Sequence, residues 1–460
     1  MLKQWIATVV LASAALAGRA QTSNGLVAAA APPAGGFTAN AGADFRAREE
    51  NINNLPSFAG PGTHQDYFRF RTRVWGELGD GDVHLYSRLA NEWRRYTVPN
   101  HRQNYAWPDE AVVDNLYLDV KGLFWDRVSL RVGRQDLMYG AGRVVLEGTP
   151  MDGSRTLFFD AVKATVQLTP ATKLDLLGIF NSPKTDLAIH NSNHELTSLS
   201  AMTPNELTEA GAGMVLNTSS LPKIPTEFYY FWKRESDWLN AGVEQPGRDV
   251  HTLGFRSTPK IGSQIDGDFE AAVQFGRTEN HKDIRAGMAF AGACWTLPVS
   301  TTWKPYIKPG CYYLSGDNNS ADGTIHAWDP IWARYPQFSE LYVLVYNGQY
   351  GIGYWSNLIY PHVETGVKIA PQHRVFVSTG ALLAAAKDSA DHPDERDRGW
   401  LTIFKYEFPL LSPCKDDGAD LFRRRFGLSG HLLAEFFTPG SYYAHDSMAY
   451  FLRWEMAAKF

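Results

Sequence analysis

The chain has 460 residues, with 44 basic against 49 acidic side chains, 44% hydrophobic residues, 13% aromatic residues and only 3 cysteines. That many rings at a formal charge of −5 exclude disorder, the cysteine count excludes a disulfide scaffold, and the lack of a basic excess gives no reason to expect a nucleic-acid partner. Length alone predicts two or three compact domains.

Lys3 precedes an apolar run over residues 5–16, with small residues at Ala15, Ala17 and Ala20. This is the order of a secretory signal, and the run falls short of the roughly 20 residues that a membrane-spanning helix needs. Cleavage after Ala20 makes residues 1–20 a signal peptide and leaves residues 21–36, rich in Ala, Pro and Gly, as a flexible lead-in to a body over 37–460. No later stretch is apolar over the length of a spanning helix, so the body can enter a membrane only as strands.

The body reads with a period of two. Over 67–78, Phe68, Phe70 and Val74 alternate with Arg69, Arg71 and Arg73; over 265–275, Ile265, Phe269, Ala271, Val273 and Phe275 alternate with Asp266, Asp268, Glu270 and Gln274. Over 448–460, Met448, Tyr450, Leu452, Trp454, Met456, Ala458 and Phe460 oppose Phe451, Arg453, Glu455, Ala457 and Lys459. A soluble antiparallel sheet also alternates, so the connections must decide. Brief turns at 79–82, 125–127, 169–172, 219–225, 261–262, 299–302 and 372–374 are interleaved with mostly longer connections at 51–66, 94–112, 139–155, 182–210, 237–249 and 317–357. That sorting is expected of an outer-membrane barrel, with tight periplasmic turns and long external loops. The predicted fold class is all-β, a transmembrane antiparallel β-barrel of about eighteen strands with both termini periplasmic; about sixteen would remain if the weak runs starting at Gly211 and Trp303 are not strands. Trp75, Trp93, Trp125, Trp232, Trp303 and Trp400 fall near strand ends, where interfacial girdles sit, although each also suits ordinary packing.

The run Leu130-Arg131-Val132-Gly133-Arg134-Gln135-Asp136-Leu137, continued by Gly140-Ala141-Gly142-Arg143 and Phe158-Phe159-Asp160-Ala161-Val162-Lys163, resembles the alginate-export family of outer-membrane barrels. The strand Phe68-Arg69-Phe70-Arg71-Thr72-Arg73 and the terminal Phe460 are similar too. The similarity spans essentially residues 37–460, with its distinctive residues confined to 130–163. It implies an eighteen-stranded monomeric pore, a passage lined by arginine, and outward movement of an anionic uronate polysaccharide. It also implies that Phe460 resembles the signal read by the outer-membrane assembly machinery, and it leaves the cargo open.

Parity assigns to the lumen Asp44, Arg46 and Arg48; Arg69, Arg71 and Arg73; Arg131; Lys163; Lys304 and Lys308; Glu364 and Lys368; and Arg453, Glu455 and Lys459. Arg134 and Arg143 join this pore-lining set through the resemblance alone, because Gly133 and Gly140 can mark bulges or a strand end. A barrel of this size leaves a lumen, and guanidinium, always charged and shaped as a fork for carboxylate, can pass an anion from site to site. Arg69, Arg71 and Arg73 would stand about 6.6 Å apart, which suits a repeating acidic polymer. Charges inside a barrel also pair across strands simply to keep the wall solvated, and Asp266, Asp268 and Glu270 are ready counter-ions.

Other readings stay open. A general or uptake porin for small carboxylates or sugars would use the same arginines. An outer-membrane lipid hydrolase would draw on Ser429 and His431 or His445 and Ser447, but the Gly-x-Ser-x-Gly elbow is missing. The segment 317–357, rich in Trp and Tyr, would fold inward and narrow the mouth or pack on its own rings. Asp388, Asp391, Asp394, Glu395 and Asp397 crowd one connection, without the spacing of a calcium loop. Cys294 and Cys311 are out of register for a bridge across their turn, and no cofactor or metal motif occurs. The partners expected are outer-membrane lipid, an anionic polysaccharide or small anionic solute, and periplasmic export proteins.

Overall fold

The computed structural model describes residues 36–56, 64–99, 107, 110–146, 158–182, 187–191, 208–240, 243–299, 303–319, 321–351, 353–370, 372–413 and 425–460. The expected signal peptide, all of the lead-in but Gly36, residues 147–157 of the motif region and Cys414 lie outside the described residues.

Eighteen antiparallel strands close into one barrel. In chain order they are β1 Phe37–Asn53, β2 Gln65–Asp80, β3 Val83–Val98, β4 Glu110–Gly122, β5 Val128–Gln135, β6 Phe159–Thr169, β7 Thr172–Asn181, β8 Glu209–Thr218 and β9 Thr226–Glu235. The circuit continues through β10 Arg248–Ser257, β11 Ile265–Thr278, β12 Asp283–Thr296, β13 Tyr306–Leu314, β14 Leu358–Ala370, β15 His373–Leu383, β16 Asp397–Leu411, β17 Gly427–Pro439 and β18 Ala449–Lys459. β1 pairs with β2 on one side and β18 on the other, so no edge is left. The final residue completes the last rung: the Ala43 N–H donates to the Phe460 carbonyl at 2.9 Å and the Phe460 N–H to the Ala43 carbonyl at 2.8 Å.

The two weak runs are both strands, β8 and β13. Gly211 and Gly213 weaken the pattern of β8 because their missing side chains make room for Trp332 and Phe231, whose rings lie 2.4 Å from where each Cβ would stand.

Alternation sorts the wall into two environments. Phe45, Val132, Met214, Phe228, Val273 and Leu432 are exposed on the outer face, an apolar band that would drive aggregation in water and that lipid satisfies. Arg46, Arg48, Glu50, Glu209, Lys233 and Arg453 are buried on the inner face. Both ends of the barrel chain lie at the rim that carries the short turns. Two connections depart from the sorting: at the long-loop rim β11 and β12 are joined by residues 279–282 only, and at the short-turn rim β16 and β17 are joined by residues 412–426.

Among the described residues, two long connections turn into the lumen. Residues 136–146 run in from β5, and residues 315–357 run in between β13 and β14, carrying helix α1, Glu340–Tyr350. They meet where Val145 bridges to Trp332 and where the Gln337 side chain donates to the Ala141 and Gly142 carbonyls, both at 2.7 Å. The apolar core lies there, inside the barrel: Val145, Ile331, Trp332, Leu341, Tyr342 and Val345 pack against inward wall residues such as Phe231, Leu401 and Phe437. The 317–357 segment thus does both things considered for it, turning inward and packing on its own rings, as Phe338, Tyr342 and Tyr346 do.

Candidate functional site: an arginine wall and two inward loops

The register of β1 against β2 sets Asp44 opposite Arg73, Arg46 opposite Arg71 and Arg48 opposite Arg69. Two successive rungs thus place guanidinium against guanidinium, an arrangement that costs energy unless counter-charge is close. The counter-charge lies around the edge. Arg48 meets Glu50 at 2.9 Å and Glu455 at 3.6 Å, and Arg69 meets Glu50 at 3.2 Å and Glu92 at 3.3 Å. Arg73 donates to Asp44 at 2.8 Å, and Arg453 reaches Glu50 at 2.6 Å. In the central pair Arg46 lies 3.7 Å from Glu455 and Arg71 3.5 Å from Asp44. Arg46, Arg48, Arg69, Arg71, Arg73 and Arg453 share Asp44, Glu50, Glu92 and Glu455 of the wall, and Arg453 also reaches Glu340 of α1 at 3.2 Å.

The remaining expected positions spread around the circuit. Arg131 forms a fork-to-fork pair with Asp119, both contacts at 2.7 Å, and lies over the Tyr117 ring. Lys163 meets Asp175 at 3.4 Å. Lys308 lies 3.9 Å from Glu364, whose stronger partner is Arg374 at 2.6 Å, and Lys368 and Lys459 are exposed near the short-turn rim. Lys304 lies in the β12–β13 connection at that rim, outside the strands. Arg134 corrects the expectation: register through Gly133 is unbroken, so Arg134 and Asp160, 2.8 Å apart, take the face of Val132 and Val162 rather than that of Arg131. Arg143 is not on the wall but on an inward loop, and it crosses to Asp268 at 2.8 Å and Glu270 at 2.7 Å. Two of the acids considered as counter-ions for the arginine strand are therefore committed to Arg143.

A second charged cluster fastens the 315–357 connection to the opposite wall. Lys233 bonds Glu209 at 2.7 Å, Glu235 at 2.5 Å and the Ile331 carbonyl at 2.9 Å. Arg334 pairs with Glu209 and Glu235, and Arg248 joins Glu235 at 2.6 Å to Asp329 at 2.8 Å. Burial works against the charge on Arg334, but Glu209, Tyr354 and Glu235 outweigh it and hold the guanidinium well above its ordinary value. Helix α1 is held from below. Ser339 caps it by accepting from the Tyr342 N–H at 2.9 Å, while Glu435 of β17 accepts from the Ser339 hydroxyl at 2.5 Å, the Glu340 N–H at 3.0 Å and the Leu341 N–H at 2.9 Å. At the other end of α1, Arg398 donates to the Tyr350 and Tyr442 hydroxyls at 2.8 and 3.3 Å, and burial pushes the Tyr350 phenol up to about 12.

Lys233, Arg248, Arg256, Arg334, Arg374 and Arg398 escaped the sequence reading, although parity along β9, β10 and β15 would have placed Lys233, Arg248, Arg256 and Arg374 inward. The loop residue Arg334 has no sequence signal. Below the loops a cavity of about 560 Å³ is lined by Arg143, Asp268, Lys308, Tyr312, Phe338 and Glu364 among others. Ser429 and His431 face the lumen, His431 3.7 Å from Glu455, and not the lipid where the hydrolase reading needs them; His445 and Ser447 are exposed in the last connection. The acids of the 384–396 connection and its flank have separate partners, Asp388 taking Tyr350 and Tyr442, Asp394 taking Lys387 and Glu395 taking Ser441. Cys294 and Cys311 are free thiols on opposite faces of the wall.

With this geometry in place, comparison with known proteins is decisive. The family model for alginate export matches residues 37–382. The chain belongs to the alginate-export family. No individually curated protein matches it in sequence. Solved structures that share the fold include three Pseudomonas aeruginosa barrels: OccK11 (OpdR), 13% identical with a TM-score of 0.51 over 92% of this chain and 95% of that one; OpdO, 11% identical with 0.52 over 92% and 96%; and OpdK with vanillate, 9% identical with 0.52 over 92% and 98%. This family member is an integral outer-membrane barrel of the pore type.

Proposed function

We propose that the pore prefers anions and exports an acidic, alginate-like uronate polysaccharide along the β1–β2 wall. The observation that carries the reading is the pair of like-charged rungs, Arg46 against Arg71 and Arg48 against Arg69. A carboxylate passing along these rungs would add counter-charge where like charges face each other, and arginines spaced about 6.6 Å apart would give successive residues of a polymer equivalent stopping places. Both termini and the short turns would face the periplasm, where export partners would dock, and the long loops would face outside. The monomeric barrel and the signal peptide are part of this reading.

Uptake of small carboxylates is the second reading. It is favoured by the firm attachment of α1 and residues 327–335 inside the lumen, which narrows the bore, and by the shared fold with OpdK, whose structure holds vanillate. Single-channel recordings with oligouronates, neutral oligosaccharides and small carboxylates as blockers separate the two. Export of a uronate polymer predicts block by oligouronates that deepens with chain length. Block by small carboxylates alone supports the second reading, and equal block by neutral sugars contradicts both.

A further inference from the structure

Among the described strands, basic side chains on the outward face are few: Arg95, Arg134, Arg234, Arg277 and Arg285. Three of these five stand together at the long-loop rim of β9–β12. Register puts Arg234 beside Asp249, Asp249 beside Arg277 and Arg277 beside Asp283, with Arg285 next to Phe275. Arg234, Asp249, Arg277 and Asp283 follow one line of register across four strands, and Arg285 lies two residues further along β12. Their side chains are 54%, 63% and 71% exposed in the order Arg234, Arg277, Arg285.

Three features set this patch apart. Its ion pairs are long, Arg234 to Asp249 at 3.5 Å and to Glu279 at 3.3 Å, Arg277 to Asp283 at 3.7 Å and Arg285 to Asp283 at 3.6 Å. Pairs this exposed contribute little stability and leave most guanidinium donors available. Immediately below it is an aromatic stack, Phe275 on His251 at 5.0 Å and 8°, with the Tyr230 hydroxyl 2.7 Å from the His251 ring nitrogen, in the position of an interfacial girdle. Above β11 and β12 the connection is the shortest at that end, residues 279–282, while residues 236–247 join β9 to β10.

We propose that this patch docks the phosphorylated headgroup of an outer-leaflet lipid. Arg234, Arg277 and Arg285 take the phosphate oxygens, Asp249 and Asp283 hold the row in register and offer oxygen to the divalent cations that accompany such phosphates, and the aromatic stack seats the boundary between headgroup and acyl chains. Outward arginines are costly toward the middle of a bilayer and are tolerated near its surface, where anionic headgroups meet them. The proposal rests on the long-loop rim facing outside, but not on what the pore conducts.

The test is native mass spectrometry of the full chain in detergent with a bisphosphorylated, acylated glucosamine disaccharide, its dephosphorylated form, and inorganic phosphate as competitor. The parent should retain the phosphorylated lipid about tenfold better than the dephosphorylated one, R234Q/R277Q/R285Q should lose that difference, and R95Q should keep it. Equal retention by the triple variant, equal binding of the dephosphorylated lipid, or full displacement by equimolar inorganic phosphate would overturn the proposal. If the triple variant fails to fold, R285Q, which removes the most exposed of the three, should still lower retention about threefold, and no change would overturn the proposal. Reversal potentials on the same variants report the pore separately and should not move.

Discussion

Two clusters of charge occupy the same lumen and are built on opposite plans. Where the 315–357 connection meets the wall, Lys233, Arg248 and Arg334 alternate with Glu209, Glu235 and Asp329, so each charge touches opposite sign. On β1 and β2, guanidinium faces guanidinium across two rungs and the carboxylates are displaced to the edge. Both are buried, so burial does not tell them apart. Inside the lumen, stoichiometry and register do: a buried one-to-one interleaved cluster fastens structure, whereas on the function proposed above an excess of one sign set opposite itself would receive the other.

Breaking the fastening cluster should have the largest effect. Glu235→Ala removes the carboxylate that Lys233, Arg248 and Arg334 share, leaving three buried cations on Glu209 and Asp329, and should cost about 3–5 kcal/mol, read as a lower urea midpoint and as protease access to residues 327–350 with a raised single-channel conductance. An unchanged conductance would mean that the connection does not narrow the bore. Gly211→Val comes next. Its Cβ would stand 2.4 Å from the Trp332 ring, so residues 327–335 must shift at a cost of about 1–3 kcal/mol, seen as altered Trp332 fluorescence. Glu435→Ala removes the acceptor of the α1 amides and should cost about 1–2 kcal/mol, with hydrogen exchange accelerated at Glu340 and Leu341 first. Arg71→Gln should have the smallest effect on folding, within about 1 kcal/mol, because it removes one of two opposed like charges, yet it should weaken anion preference. The comparison would be blurred if Arg71→Gln unfolded the barrel as badly as Glu235→Ala.

The wall was legible because lipid and water impose a strict period of two, which Phe68 to Arg73 and Leu452 to Glu455 show without any tertiary information. β8 read poorly for a physical reason: Gly211 and Gly213 serve the loop packed against them, and that loop is a long-range partner. Arg134 misled because a motif carries residue identity but not facing, whereas its register with Asp160 fixes the face. The interior plug was only half legible. The rings of 317–357 announced packing, but Arg334 and Asp329 gain meaning only from Glu209, Glu235 and Arg248, which are far away in the chain. The four-arginine arrangement needed register as well, since parity placed Arg46, Arg48, Arg69 and Arg71 on one face without showing that they stand opposite one another.

The most direct test of that arrangement is the reversal potential across a planar bilayer under a potassium chloride gradient, for the parent and for R46Q/R48Q/R69Q/R71Q. The parent should select chloride, and the variant should lose that selectivity while migrating as a folded barrel. A parent that selects potassium, or a folded variant with the parent's reversal potential, would contradict the account.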